Sequence, residues 1–432
     1  MKKLTVALLL SLGAAGIAQA ETAPKNIIMV VGDGMGPAHT AAYRYFKDDP
    51  ATVEIEQTVF DRHFVGRAST YPARTQGLVT DSAASGTALA TGYKTYNGAI
   101  GLDNDKNPVQ SVLEYAKSIG KSTGLVVTSQ INHATPASYV AHVKKRKMYN
   151  EIADSYFDDK INGEFKVDLM LGGGWKYFIR KDRDIAQEFK DAGYQYIDSY
   201  DQLSQINKDQ VLGLFANDGL PAALDDKQPE RLKTMVTAAV DRLERNEKGY
   251  FLLIEASQID WASHANDVAS AMAEMDDLNS TVEWLEGYVA NNSDTLVVVT
   301  ADHNTGGMTM GAKGGGYRWE PQYLRNLSAS TKTIANQQIK NGYDPEEINK
   351  QLGFELNKDE ISLVKKAHAK DKKQLFKALK SVIDKRTNTG WTTSGHTGID
   401  VPVFAFGAGK DKYAGQIDNT DIAKNIFKQL GK

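Results

Sequence analysis

Carboxylates and imidazoles in this chain stand where short apolar runs end. Asp33 closes the run at 27–32, and Asn132, His133 and Thr135 follow the run at 125–129. Glu255 follows 250–254, Asp302 and His303 follow 295–301, and His396 precedes 401–406. Asp260 and His264 lie just beyond Glu255, spaced to share one helical face. Each has an ordinary explanation by itself. Asp33 suits a turn, Glu255 a lysine pair, His303 and His396 hydrogen-bonded structural roles, and Asp260 with His264 a surface pair. What those explanations leave unaccounted for is the recurrence of a ligand-type residue at strand end after strand end.

With no cysteine in the chain, a metal must take histidine, carboxylate or hydroxyl ligands. Two sets carry imidazoles and suit zinc: Asp260, His264 and His396, and Asp33, Asp302 and His303. Glu255, Thr135 and the second oxygen of Asp33 are hard oxygen donors and suit magnesium, with Asp33 bridging two sites. His39, His63, His142 and His368 lack such partners nearby in sequence and are assigned structural or surface roles.

A nucleophile stands in the small-residue run 80–88, which reads as a helix N-terminus. Ser82 there is an N-cap or a hydroxyl on a phosphate seat, and the two are compatible, since orphan N–H groups and the positive dipole end favour both. Zinc coordination would stabilise its alkoxide. Arg146 is either part of a solvated basic cluster or a fork for two phosphate oxygens. Gly172, Gly173 and Gly174 lack the residues of a phosphate loop and read as a strand-end turn.

The elements that must bring these residues together alternate along the chain. Strand-like runs at 25–32, 122–129, 167–171, 211–215, 250–254, 295–300 and 401–406 are separated by helical patterns at 109–119, 182–191, 230–246, 266–289 and 418–430. That order predicts an α/β fold, a doubly wound and mostly parallel sheet with helices on both faces. In such sheets ligands gather outside the carboxyl ends of the strands. The stretch 305–393 breaks the rhythm with glycines and charged helices and reads as an insertion over that edge. The lysine-rich 365–380 reads as a solvated helix face.

Residues 1–20 combine Lys2 and Lys3, an apolar run at 4–17 and Ala18-Gln19-Ala20, the pattern of a secretory signal peptide. The expected mature chain is one domain, 21–432, directed to the periplasm or secreted. Removing the two lysines moves the formal charge from −3 to −5. A chain so charged has no basic surface for nucleic acid, and no later run reaches membrane-spanning length.

Five segments together resemble the alkaline phosphatases, and are similar to their marine and cold-adapted bacterial branch. They are Val31-Gly32-Asp33-Gly34-Met35-Gly36, Thr80-Asp81-Ser82-Ala83-Ala84-Ser85, Glu255 with Asp260 and His264, Thr300-Ala301-Asp302-His303, and Gly395-His396-Thr397. The resemblance implies two zinc ions, one magnesium ion and phosphate monoesters as substrates. It implies that Ser82 becomes phosphorylated, that Arg146 orients the phosphate, and that Asp81 and Trp261 belong to the phosphate environment. The chain departs from the enterobacterial pattern where His133 and Trp261 replace aspartate and lysine, which softens the third metal site and removes a cation near phosphate. Two other readings use the same residues: a zinc-dependent phosphodiesterase or nucleotide pyrophosphatase, and an exported zinc- or phosphate-binding protein without activity. Whether two copies pair as a homodimer is left open.

Overall fold

The computed structural model describes residues 23–228 and 230–432. The signal-peptide reading of residues 1–20 therefore lies outside the described residues. Among them, no helix is long and apolar enough to cross a membrane.

Ten strands form one sheet: β1 (Asn26–Gly32), β2 (Phe64–Ser69), β3 (Ser122–Gln130), β4 (Leu169–Gly173), β5 (Gln195–Ile197), β6 (Val211–Leu214), β7 (Tyr250–Ala256), β8 (Thr295–Thr300), β9 (Val401–Gly407) and β10 (Gly415–Asp418). Their order across the sheet is β10-β2-β9-β8-β1-β7-β3-β4-β6-β5. The apolar runs in β1, β7 and β8 are wholly buried, as expected for strands covered on both faces. Val112–Ser118 and Arg231–Leu243 pack on β3 and β7, and Val268–Asn291 packs on β7, β8 and β9.

The register sets the site. Val31 of β1 pairs with Glu255 of β7 and with Thr300 of β8, and Glu255 also pairs with Val127 of β3. Four parallel strands thus end at one height, with Asp33, Glu255 and Asp302 on a common edge. Glu255 lies inside β7 rather than after it. β9 runs antiparallel to both its neighbours, β8 and β2. That reversal is why His396, which precedes β9, reaches the same edge as residues that follow the parallel strands.

The apolar runs predicted as strands are all found, within a few residues at their ends. β2, β5 and β10 are additional. The stretch read as an insertion holds helices Thr331–Asn341, Pro345–Leu352, Lys358–His368 and Lys372–Thr387. Ile334, Ile348, Val364, Leu379 and Ile383 on these helices are buried, while Lys365, Lys366, Lys372, Lys373 and Lys377 face solvent.

Candidate active site

The carboxyl edge gathers three groups of ligand-type side chains, each with its ligand atoms within 4.8 Å of one another: Asp260, His264 and His396; Asp33, Asp302 and His303; and Asp33, His133 and Glu255. Asp33 belongs to two of them. Asp260 and His264 share one face of the helix Gln258–His264. The turn that carries Asp33 needs glycine at position 34, where φ is +75° and a Cβ would stand 2.9 Å from Asp260 Cα.

Proton placement follows from the carbonyls behind each ring. His264 Nδ1 donates to Ser394 O at 2.6 Å and His396 Nδ1 donates to Thr80 O at 2.8 Å. A carbonyl accepts only, so Nδ1 carries a proton in both rings and Nε2 is the atom each ring can offer a metal. The two Nε2 atoms face each other at 3.1 Å, with Asp260 carboxylate oxygens 3.4 and 3.7 Å away, so two nitrogens and a carboxylate converge on one point where a cation fits.

His303 repeats the arrangement. Thr305 Oγ1 donates to Asp260 Oδ1 at 2.5 Å and lies 3.2 Å from His303 Nδ1, from which it can accept. His303 Nε2 then points at Asp302 Oδ2 (3.2 Å), Asp33 Oδ1 (3.5 Å) and Ser82 Oγ (3.0 Å). The ring stacks on His396 with centroids 3.5 Å apart.

Ser82 opens the buried helix Ser82–Thr91, but the N-cap is Asp81, whose Oδ1 accepts from Ala84 N at 3.0 Å. This corrects the N-cap reading of Ser82: its hydroxyl is not used in capping and faces His303. Asp81 Oδ2 pairs with Arg146 Nη1 at 3.2 Å.

The electrostatics call for cations. Both oxygens of Asp33, Oε1 of Glu255, Oδ2 of Asp302, Nδ1 of His133 and Oγ1 of Thr135 are buried without a hydrogen bond. An orphaned buried carboxylate costs several kcal/mol in isolation. Burial first, then the charges of Asp302, Asp260 and Glu255, push the Asp33 carboxyl well up. Burial likewise pushes Asp302 up to about 8. Burial and nearby Arg146 bring His133 down to about 3, and burial with His396 pushes His303 down, so both rings are neutral ligands. Arg146 stays protonated despite its burial because Asp81 and Asp33 lie close. Neutral imidazoles facing several carboxylates fit divalent ions, and the donor chemistry of all three groups agrees.

Thr135 sits on the short helix Ala134–Ser138, next to His133. Trp261 packs edge-on against the His133 ring, with centroids 5.9 Å apart. Gly172 and Gly173 are the last residues of β4 and only Gly174, at φ +105°, follows it, beside Gln130 and Asn132, so the expected strand-end turn reduces to that one residue. His39 joins Gly36 N to Ser263 Oγ beneath the ligand-bearing helix. His63 pairs with Glu286, His142 with Glu114, and His368 with Gln338 O. Sequence reasoning missed Thr305, as well as Ser129 and Ser257, which donate to Glu255 Oε2 at 3.2 and 2.5 Å. Thr305 stands two residues after His303, and that nearness was the signal available for it.

Residues 24–431 match the family model described as alkaline phosphatase. The chain belongs to the alkaline phosphatase family, whose members are phosphoric monoester hydrolases. It is 46% identical to alkaline phosphatase 3 of Bacillus subtilis over 94% of this chain and 89% of that protein. It is 31% identical to alkaline phosphatase of Escherichia coli over 65% of this chain and 70% of that protein. Among solved structures it is similar to a cold-active alkaline phosphatase from a psychrophilic Shewanella, with a TM-score of 0.89 and 48% identity over 94% of this chain and all of that one. It is also similar to the alkaline phosphatase of the Antarctic bacterium TAB5, with a TM-score of 0.71 and 26% identity over 95% and 98% of the two chains.

Proposed function

We propose that this chain hydrolyses phosphate monoesters through a phosphoserine formed on Ser82, at a centre of two zinc ions and one magnesium ion. The observation that carries the reading is the Ser82 hydroxyl, 3.0 Å from His303 Nε2 at a helix N-terminus, beside orphaned carboxylates. In this reading Asp260, His264 and His396 hold one zinc, and Asp33, Asp302 and His303 hold the other. Asp33, His133, Thr135 and Glu255 would hold the magnesium.

When bound, the metals supply Lewis-acid stabilisation of charge on the attacking and departing oxygens. The chain's own residues do the rest. The helix N-terminus and the Arg146 guanidinium, steadied by Asp81, hold the non-bridging oxygens. Ser82 Oγ bonds to phosphorus as the ester bond breaks and the alcohol leaves. Water then cleaves the phosphoserine, restoring the hydroxyl and releasing phosphate.

His133 and Trp261 tune this centre in our reading. Variants of the TAB5 enzyme with one histidine exchanged for glutamate or aspartate carry magnesium in the site called M3, which supports an imidazole's influence on the third metal. Trp261 leaves the phosphate seat without a lysine and so favours faster product release. We read 305–393 as an insertion that shapes access: Lys380 Nζ donates to Ala265 O, one residue past His264. The pattern of residues 1–20 supports export to the periplasm or beyond.

The test is hydrolysis of p-nitrophenyl phosphate at alkaline pH before chelation, after it, and after zinc and magnesium repletion. Activity should vanish and return. Faster hydrolysis of bis-p-nitrophenyl phosphate would make the chain a diesterase instead.

A further inference from the structure

If Arg146 and Ser82 grip one phosphate, as proposed above, something must set their separation, because they lie on different elements. Arg146 is carried by an irregular stretch between the helices Ala134–Ser138 and Tyr149–Asp158. A guanidinium on such a stretch is placed no better than its supports allow.

The segment 96–101 touches both partners. Towards Arg146, Ile100 pairs with Val143 in both directions at 3.0 Å, and Gly98 O accepts from Arg146 N at 2.7 Å. Tyr96 OH donates to Lys144 O at 3.1 Å. Towards Ser82, Thr87 Oγ1 donates to Ala99 O at 3.1 Å and accepts from Gly101 N at 3.0 Å, which ties the segment to the nucleophile's own helix. Gly98 N donates to Asp81 Oδ1 at 3.0 Å. Asn97 Oδ1 accepts from Asp81 N at 3.0 Å, and Asn97 Nδ2 donates to Val79 O at 3.1 Å.

A closed circuit results. Asp81 Oδ1 binds Gly98 N, Gly98 O binds Arg146 N, and Arg146 Nη1 returns to Asp81 Oδ2. Gly98 can serve both neighbours because its φ of +91° turns its N–H and C=O to different elements, a conformation other residues rarely adopt. Asn97 locks the circuit to the strand of chain that leads into Ser82. Its side chain is exposed and makes two hydrogen bonds, both to residues 79–81. It contributes no burial to the core.

We infer that Asn97 is a positioning residue for phosphate binding, whose amide fixes the 96–101 segment so that Arg146 stands at the working distance from Ser82. Asn97 itself touches neither the nucleophile nor the guanidinium. The inference rests on the reading of Arg146 given above, and the experiment separates the two.

Asn97→Ala, Arg146→Ala and the double variant, each loaded with zinc and magnesium, are compared for p-nitrophenyl phosphate kinetics and for inhibition by inorganic phosphate. Asn97→Ala should raise KM and the phosphate inhibition constant roughly tenfold, with kcat changed less than about twofold and the thermal unfolding midpoint near that of the parent. In the Arg146→Ala background the same change should have an effect of less than about twofold, because the group it positions is gone. An equal tenfold effect in both backgrounds overturns the inference, since Asn97 would then act independently of Arg146. A silent Asn97→Ala beside a responsive Arg146→Ala also overturns it and leaves the role of Arg146 standing. If Arg146→Ala changes neither constant, the role of Arg146 and the inference fall together.

Discussion

Two buried clusters of carboxylates in this molecule look alike in composition and differ in what balances them. In one, Arg231 is 1% exposed and faces Glu274, Asp277 and Asp226. Its Nη2 donates to Glu274 at 2.8 Å, Glu274 also accepts from Ala223 N, and Asp277 accepts from Leu232 N. In the other, Asp33, Glu255, Asp260 and Asp302 face His264, His303 and His396, and the nearby Arg146 is engaged by Asp81. A cluster that carries its own guanidinium is part of the scaffold, tying Ala223, Arg231 and Leu232 to the Val268–Asn291 helix. A cluster of carboxylates among imidazoles, with buried carboxylate oxygens that accept no hydrogen bond, is incomplete as protein and is built for ions that arrive from outside.

The sharpest break between the two comes from chemistry. Ser82→Ala should lower kcat for p-nitrophenyl phosphate by at least about 10³-fold while circular dichroism and zinc content stay those of the parent. Arg231→Met should leave kcat within about twofold. A Ser82→Ala protein that retained most activity would remove the nucleophile from the account.

Stability separates the clusters next, and in opposite directions. Arg231→Met strands buried carboxylates and should destabilise the fold by about 3–5 kcal/mol in urea unfolding. Asp302→Asn replaces a buried carboxyl that must take up a proton to fold without metal, and should stabilise the metal-free protein near pH 7 by about 1 kcal/mol or more, while abolishing activity. Loss of metal-free stability in both variants would mean that the two clusters are balanced alike.

A smaller effect lies in pH. Burial, with Glu274 adding to it against the pull of Arg231, raises Asp277 to about 7. Because the folded-state value lies above that of the unfolded chain, the native state holds the extra proton. The contribution of Asp277 is therefore fully present below about pH 4 and is lost as pH rises to about 7. Asp277→Asn should flatten stability against pH over that window, and an unchanged slope would rule this source out. The smallest change expected is at Trp261→Lys, with inorganic phosphate inhibition tightened a few-fold and kcat lowered in step through slower release. Unchanged inhibition would reject the role given to Trp261.

What could be read from the chain follows the same physics. β1, β7 and β8 are continuous apolar runs because both sheet faces are covered, so they stand out in sequence. β2, β5 and β10 were not legible: β5 spans three residues, and β2 and β10 lie near or at the sheet edge with partly exposed patterns. Nor does an apolar run reveal direction, so the antiparallel course of β9, which brings His396 to the metal edge, appears in the structure and not in the pattern. The ligand-type residues were legible because Asp33, Glu255, Asp302 and His303 stand at or near the ends of strong runs, Asp260 and His264 share a helical spacing just beyond one, and His396 stands shortly before another. Thr305, Ser257 and Asn97 were not, since a hydroxyl or amide gains its role from whatever distant group lies within 3 Å, and spacing does not encode that.

The most direct measurement is anomalous diffraction at the zinc edge from crystals of the zinc- and magnesium-loaded enzyme. The account predicts two zinc peaks, one among Asp260, His264 and His396 and one among Asp33, Asp302 and His303, the second within coordination distance of Ser82 Oγ. Zinc bound elsewhere, or neither group holding it in a fully active enzyme, would contradict it.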